Sequence, residues 1–400
     1  MQHSRQETRF HNAFGVFELH RRPRVNGLKA WDGADELLLE LAALELAAAH
    51  PSRRALIIND NFGALACALH TQHPVCWSDS CTSHFATQAN WTLNQLAETC
   101  STLPATEQPV TSQASTSFDL IVWRAPKSTA LFEQQIAQLF PIINAQTVIF
   151  VGGMDKHLLP DTKTLLTRLG RVTTLPGKRK SHVFQIEFDP SLPAPQTPQI
   201  AETTFPEYGL TLGGDANVFA REKLDIGARF FIEHFPQLPG ADLSATTRIA
   251  DLGCGNGILS LALAKLRPNA EIHAFDESYQ AIASARANWQ RNIGEPVPER
   301  FHIGDGLSLY DGAAFDLILC NPPFHQQHVI GDHIARQLFT QSKQHLRKGG
   351  ELWIVGNRHL DYQSALKRLF GNCRQIAANA KFVVLAARRQ DTQERSAMSE

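Results

Sequence analysis

The chain has 400 residues, of which 43% are hydrophobic, 19% charged and 8% aromatic. That length exceeds what one domain ordinarily takes, and that composition excludes the disordered, collagen-like and disulfide-scaffold classes. Lys+Arg number 38 against Asp+Glu 39, and neither half departs from balance, so a polyanionic partner has to be held by local patches and specific contacts.

From the N-terminus, Met1 to Pro23 carry Arg and His throughout and no continuous apolar core, so a secretory signal is not expected. Glu36 to His50 reads as an amphipathic helix, too short and too acidic to span a membrane. Leu56-Ile-Ile-Asn-Asp-Asn-Phe-Gly63 followed by Ala64 to Leu69 reads as strand, turn and helix start. The seven cysteines are odd in number and form no C-x-x-C, which argues against a disulfide framework or a zinc knuckle and for a reduced compartment. Asp189 to Pro198 holds four prolines and reads as a linker.

Beyond the linker, Arg248 to Leu252, Glu271 to Phe275, Phe315 to Cys320 and Glu351 to Val355 read as strands. Gly257 to Leu266, Ser278 to Arg291 and Ile334 to Arg347 read as helices between them. This alternation predicts a parallel sheet with helices on both faces and ligands at the carboxyl ends of its strands. The chain also repeats itself. Phe118-Asp-Leu-Ile-Val-Trp-Arg-Ala-Pro-Lys127 aligns without gaps on Phe315-Asp-Leu-Ile-Leu-Cys-Asn-Pro-Pro-Phe324, and the same offset pairs Asp79 with Asp276. Val148 to Gly152 likewise answers Leu352 to Gly356. One α/β fold is therefore expected twice.

Chemistry concentrates in the second copy. In Asp251-Leu-Gly-Cys-Gly-Asn-Gly257 the glycines Gly253, Gly255 and Gly257 allow close approach to a nucleoside-bearing cofactor. Their spacing departs from the dinucleotide fingerprint, and an acid at Asp251 suits a sulfonium cofactor with an amino group better than a pyrophosphate. Asp276 is placed for a ribose diol, and Asp305 for an adenine amine. In Asn321-Pro-Pro-Phe324 the prolines must stop the strand, leaving a carboxamide oxygen and a stiff carbonyl to accept both hydrogens of a flat exocyclic amine, with Phe324 as a stacking face. His325 and His328 invite a metal reading, but no third ligand is visible and none is expected. Cys254 and Cys320 read first as small buried hydrophobes.

The run Asn321 to His328, with Gly350 to Tyr362, Arg368 to Cys373, Asn379 to Leu385, Val218 to Phe231 and Ala30 to Glu36, resembles class I S-adenosylmethionine-dependent methyltransferases. Within them it is similar to the guanine-N2 methyltransferases of 23S rRNA, from Trp31 to Leu385. The resemblance implies two tandem Rossmann-like methyltransferase domains with a degenerate N-terminal copy: residues 1–188, a linker at 189–199, and a catalytic domain at 200–400. It implies S-adenosylmethionine as cofactor, held by Asp251, Gly253, Cys254, Gly255, Asn256 and Gly257, with Asp276 and Asp305. Asp225 and Gly227 would form a lid, and Asn321, Pro322, Pro323 and Phe324 the target-base site. It further implies a cytoplasmic RNA-binding enzyme of ribosome biogenesis, with no obligate protein partner.

The first copy has one glycine in its turn and Arg124-Ala-Pro-Lys127 in place of Asn-Pro-Pro-Phe, so it is expected to bind no cofactor. Arg124, Lys127, Lys178, Arg179 and Lys180 are its candidates for RNA phosphates. The rival readings are a 16S rRNA guanine-N2 methyltransferase, a protein-glutamine methyltransferase and a non-catalytic RNA-binding assembly factor.

Overall fold

The computed structural model describes residues 7–25, 27–48, 54–97, 99–109, 118–221, 223–239, 247–294, 299–323 and 328–390. The chain forms two compact units, Met1–Gln199 and Ile200–Glu400. Asp189 to Pro198 is neither helix nor strand.

The first unit opens with the hairpin β1 (Arg9–Asn12) and β2 (Gly15–Glu18), then α1 (Gly33–Ala48). There follow β3 (Ala55–Ile58), α2 (Ala64–Ala68), β4 (Val75–Ser78), α3 (Cys81–Leu93) and β5 (Ser101–Pro104). The unit closes with β6 (Leu120–Arg124), α4 (Thr129–Leu139), β7 (Val148–Met154), α5 (Thr162–Leu166), β8 (Gly170–Thr174) and β9 (Ser181–Phe188). The second unit repeats this plan. Its hairpin is β10 (Ala201–Phe205) and β11 (Leu210–Gly214), followed by α6 (Ile226–Ile232), β12 (Arg248–Leu252), α7 (Ile258–Leu266), β13 (Glu271–Asp276) and α8 (Tyr279–Ile293). Then come β14 (Phe301–Ile303), β15 (Phe315–Cys320), α9 (His328–His345), β16 (Leu346–Asn357), α10 (Tyr362–Phe370), β17 (Arg374–Ala378) and β18 (Phe382–Arg388).

The two seven-stranded sheets have the same order, β5-β4-β3-β6-β7-β9-β8 and β14-β13-β12-β15-β16-β18-β17. The four strands read from the sequence pair in parallel, as expected, and both sheets are mixed because β9 and β18 run antiparallel to their neighbours. The connections at 175–180 and 379–381 are too short for a crossover, which takes about a dozen residues, so they close as hairpins. Apolar side chains cover both faces. In β12, Ile249 packs with Leu317 and Trp353 on one side while Ala250 and Leu252 pack with Ile318 and Ile354 on the other.

Identical small devices recur in both units. Asp119 accepts the Arg54 amide at 2.9 Å and Asp316 accepts that of Arg248 at 2.7 Å. Arg54 lies over Phe118 at 5.2 Å, and Arg248 over Phe315 at 5.8 Å. Shared strand order and shared side-chain pairs are what a duplication leaves behind.

The expected helix at Ile334 to Arg347 is displaced. Its helix, α9, begins at His328 and ends at His345, because the chain from Leu346 already runs in the sheet beside Phe315. Ser278 caps α8, its hydroxyl accepting the Ala281 amide at 3.0 Å.

Candidate active site

At the carboxyl end of the second sheet lies a cavity of about 460 Å³. Its floor is the turn between β12 and α7. Gly253, Gly255 and Gly257 have φ of 71°, 55° and 86°, the left-handed region. A Cβ on Gly253 or Gly255 would meet no atom within 4 Å, whereas one on Gly257 would approach the Ala285 Cβ to 3.1 Å. The first two glycines thus leave room for a ligand, and the third leaves room for α8. Gly253, Cys254, Gly255 and Asn256 line the cavity.

Asp276 ends β13 and also lines it, its Oδ2 accepting the Gly255 amide at 2.9 Å and its Oδ1 the Ser278 amide at 3.0 Å. Burial raises its pKa, and lone pairs remain for further donors. Asp305 stands on the wall, where Gln337 donates to its Oδ2 at 2.7 Å. Gln341 pins the same loop, accepting from the Leu307 amide at 2.9 Å and donating to the Asp305 carbonyl at 3.1 Å.

Asn321 follows β15. Its Nδ2 donates to Asp225 Oδ2 at 3.4 Å, and that same oxygen caps α6 by accepting the Ala228 amide at 2.9 Å. The other end of the carboxamide, Oδ1, is buried without a partner among the described residues. Pro322 and Pro323 continue the wall. Phe324 and His325 lie outside the described residues, as does the His328 side chain. No group of three or more His, Cys, Asp or Glu among the described residues could hold a metal ion.

Three expected cofactor residues stand elsewhere. Asp251 does not line the cavity: it is fully buried, its Oδ2 accepting the Ser260 amide at 3.1 Å and hydroxyl at 2.7 Å, while Oδ1 has no partner among the described residues. Burial pushes its pKa up to about 6. Gly257 packs against Ala285 in the turn, Gly227 is buried within α6, and neither lines the cavity. Burial raises the pKa of the Cys254 and Cys320 thiols, and Cys254 forms part of the wall.

Sequence reading missed the roof. Thr211, Gly213, Asp215 and Asn217 donate their amides in turn to Asn292 at 2.9 Å, Asn288 at 2.7 Å, Ser284 at 3.1 Å and Gln280 at 2.8 Å. Four residues of helix rise about 6 Å and two of strand about 6.6 Å, so every rung of this ladder fits the next. A polar stripe at i, i+4, Gln280, Ser284, Asn288 and Asn292, running along one side of the helix was the available signal. Beyond it, Val218, Phe219, Lys223 and Leu224 complete the cavity mouth, with Phe219 63% exposed.

The first unit keeps two rungs and loses the cavity floor. Asn94 accepts the Glu18 amide at 2.8 Å and Asn90 that of His20 at 2.9 Å. Asp60 then fills its own turn, accepting the Gly63 amide at 2.9 Å, Leu65 at 2.9 Å and Ala66 at 3.0 Å. Arg124, proposed from sequence for RNA phosphates, is instead buried and bound to Asp32 at 2.5 Å and Asp35 at 2.8 Å. It repeats the Asn321–Asp225 pairing as an ion pair. Lys178 and Arg179 are likewise engaged, at 2.6 Å and 2.9 Å from Glu40, with Arg179 also 2.7 Å from Glu36.

The twin sheets, the glycine floor and the carboxamide beside the proline pair define a class I methyltransferase. The Methyltransferase small domain family matches residues 209–386, and the RLMG N-terminal domain family matches 7–190. A ribosomal RNA large subunit methyltransferase G of Stutzerimonas stutzeri is 44% identical over 93% of this chain and 97% of its own. One of Yersinia pestis is 39% identical over 93% of this chain and 92% of its own. The chain belongs to the ribosomal RNA large subunit methyltransferase G family. Its fold is also that of a 16S rRNA N2 G1207 methyltransferase of T. Thermophilus, solved with AdoMet and guanosine: TM-score 0.74, 20% identity, 96% of this chain and 98% of that one.

Proposed function

We propose that this chain transfers a methyl group from S-adenosylmethionine to the exocyclic N2 amine of a guanine in 23S rRNA. The observation that carries the reading is Asn321 Oδ1, a buried acceptor without a partner among the described residues, on a residue that lines the cavity above the glycine turn. An exocyclic amine brings two N–H donors, and leaving such an acceptor unmet costs roughly 1 to 3 kcal/mol, which the amine would recover. Asp225 fixes the other end of the carboxamide, so the oxygen is presented in one orientation.

The residues also fit the cofactor. Gly253 and Gly255 leave open space where any side chain would project, and Asp276 offers lone pairs for a diol. When bound, S-adenosylmethionine supplies an electrophilic methyl group on sulfur. The protein's part is positioning and exclusion of water rather than acid-base work. Apolar Val218, Leu224, Ile258 and Leu338 wall the cavity, and Phe219 at its mouth offers a ring for a base drawn out of its stack. The reading carries with it a cytoplasmic location and ribosomal RNA as partner. No described helix is long and apolar enough to cross a membrane.

The test is transfer of labelled methyl to separated 16S and 23S rRNA. Label on 23S rRNA, mapping to one N2-methylated guanine, is the expected result. Label on 16S rRNA alone would overturn the choice of RNA, and label on neither, with S-adenosylmethionine bound, would favour the assembly-factor reading.

A further inference from the structure

One side chain of α8, that of Asn288, is bonded both to the glycine turn and to the hairpin that leads into the cavity mouth. We infer that Asn288 is a positioning residue: it ties the hairpin β10–β11 to the glycine turn, so that filling the cofactor site orders the segment that forms the mouth. The inference rests on the reading above that S-adenosylmethionine occupies the cavity.

Asn288 is buried, and every hydrogen-bonding position of its carboxamide is used. Its Oδ1 accepts the Gly213 amide at 2.7 Å and Arg291 Nη1 at 3.2 Å. Its Nδ2 donates to the Gly213 carbonyl at 2.7 Å and to the Asn256 carbonyl at 2.9 Å. Asn256 lines the cavity from the glycine turn, one position before Gly257. Gly213 lies at the end of β11, and beyond it the chain from Asn217 to Asp225 runs along the cavity wall. Asp225 in turn holds Asn321. The mouth segment is thus fastened at one end to the target-base residue and at the other, through Asn288, to the cofactor floor.

The neighbouring rung stops short of the floor. Asn292 accepts the Thr211 amide at 2.9 Å and donates to the Thr211 carbonyl at 2.9 Å, but its remaining donation goes to the Asn288 carbonyl at 2.7 Å, within the helix. The first unit repeats the strut. Asn90 accepts the His20 amide at 2.9 Å and donates to the carbonyls of His20 at 2.9 Å and of Phe62 at 2.8 Å. Phe62 precedes Gly63 as Asn256 precedes Gly257, and the two glycines have φ of 83° and 86°. Asp60 fills the turn there, so breaking that strut can cost stability but not cofactor affinity. A buried hydrogen-bonded link of this kind carries coupling when the elements at its two ends are ordered together.

The experiment uses the full chain, with S-adenosylmethionine binding followed by calorimetry and amide hydrogen exchange followed residue by residue. Saturating cofactor should slow exchange of the Thr211 amide, which lies outside the cavity wall, at least ~5-fold in the wild type. Asn288→Ala should weaken cofactor binding about 10-fold, the size of one net hydrogen bond, and cut that slowing to less than about twofold at saturation. Asn292→Ala, which loosens the hairpin but spares the bond to the turn, should lose no more than about threefold in affinity. Asn90→Ala should leave affinity within about twofold of wild type. A wild type that binds cofactor without slowing Thr211 exchange, wild-type affinity in Asn288→Ala, or an equal loss in either control overturns the inference. Should Asn288→Ala fail to fold, Asn288→Asp, which keeps the volume and the Gly213 amide bond but cannot donate once ionised, has to show the same losses at about pH 8. Absence of S-adenosylmethionine binding by the wild type would overturn the reading of the cavity and the inference with it, whereas the other failures overturn the inference alone.

Discussion

Asn321 is tied at its nitrogen and, among the described residues, open at its oxygen, and that asymmetry separates its two tasks. Asn321→Ala removes the acceptor without touching the glycine turn, so methyl transfer should fall at least ~100-fold while cofactor affinity changes less than about threefold. Equal losses in both, read by calorimetry beside turnover, would place Asn321 in cofactor binding instead. Asp251 supports a second prediction. Its carboxyl is held at about 6 by burial, above its ordinary 3.8. An acid with a raised folded pKa stabilises the fold below its unfolded pKa, and that contribution is lost as pH rises from about 4 to about 6. Asp251→Asn should therefore show a flatter dependence of unfolding free energy over this window, by on the order of 2 kcal/mol, in chemical denaturation at pH 4 and pH 7.

At the scale of elements, the three glycines of one turn have different jobs. Gly253→Ala and Gly255→Ala should lower cofactor affinity with small effects on stability beyond the cost of a left-handed Cβ, about 1 kcal/mol. Gly257→Ala should lower thermal stability more, because its Cβ must push Ala285 and α8. The edge strand β14 carries a different liability. His302 lies 3.0 Å from His273 and its ring stacks on Phe275 at 4.5 Å. Burial and the neighbouring His273 hold its pKa down at about 4. A histidine so depressed is neutral in the fold, and the stability present above about pH 6.5 is lost as pH falls toward 4. Amide protection in β14 should drop over that window, and His302→Phe should reduce the drop. Much of this site could be read from local spacing: Asp276 ends a strand, and the glycine turn, Asp305 and Asn321 each follow one within a few residues. What escaped depends on distant partners. Arg124, two residues before a proline at a strand end, reads as a surface cation until Asp32 and Asp35, from another element, bury it. Lys178 and Arg179 meet Glu40 across 138 and 139 residues of chain. The roof amides find α8 across 63 to 81 residues, a pairing no window of sequence contains.

For the molecule as a whole, duplication has left two units with their own cores and different polar centres. Arg124→Ala would strand Asp32 and Asp35 in the first unit, at a cost of about 3 to 5 kcal/mol. Calorimetry should show one unfolding transition moved down and the other, that stabilised by added S-adenosylmethionine, unmoved; a uniform shift would mean that the units unfold together. The ladder along α8 bears on how such a protein can be studied. All of its rungs are carboxamides or a hydroxyl meeting backbone amides, with no ion among the acceptors. Ionic strength therefore has no charge to act on in these four rungs, and the one ion pair between α8 and the hairpin that salt can loosen among those described here is Arg291–Glu202. A salt titration of turnover in an Arg291→Gln variant thus becomes a direct readout of how the nucleic acid is held.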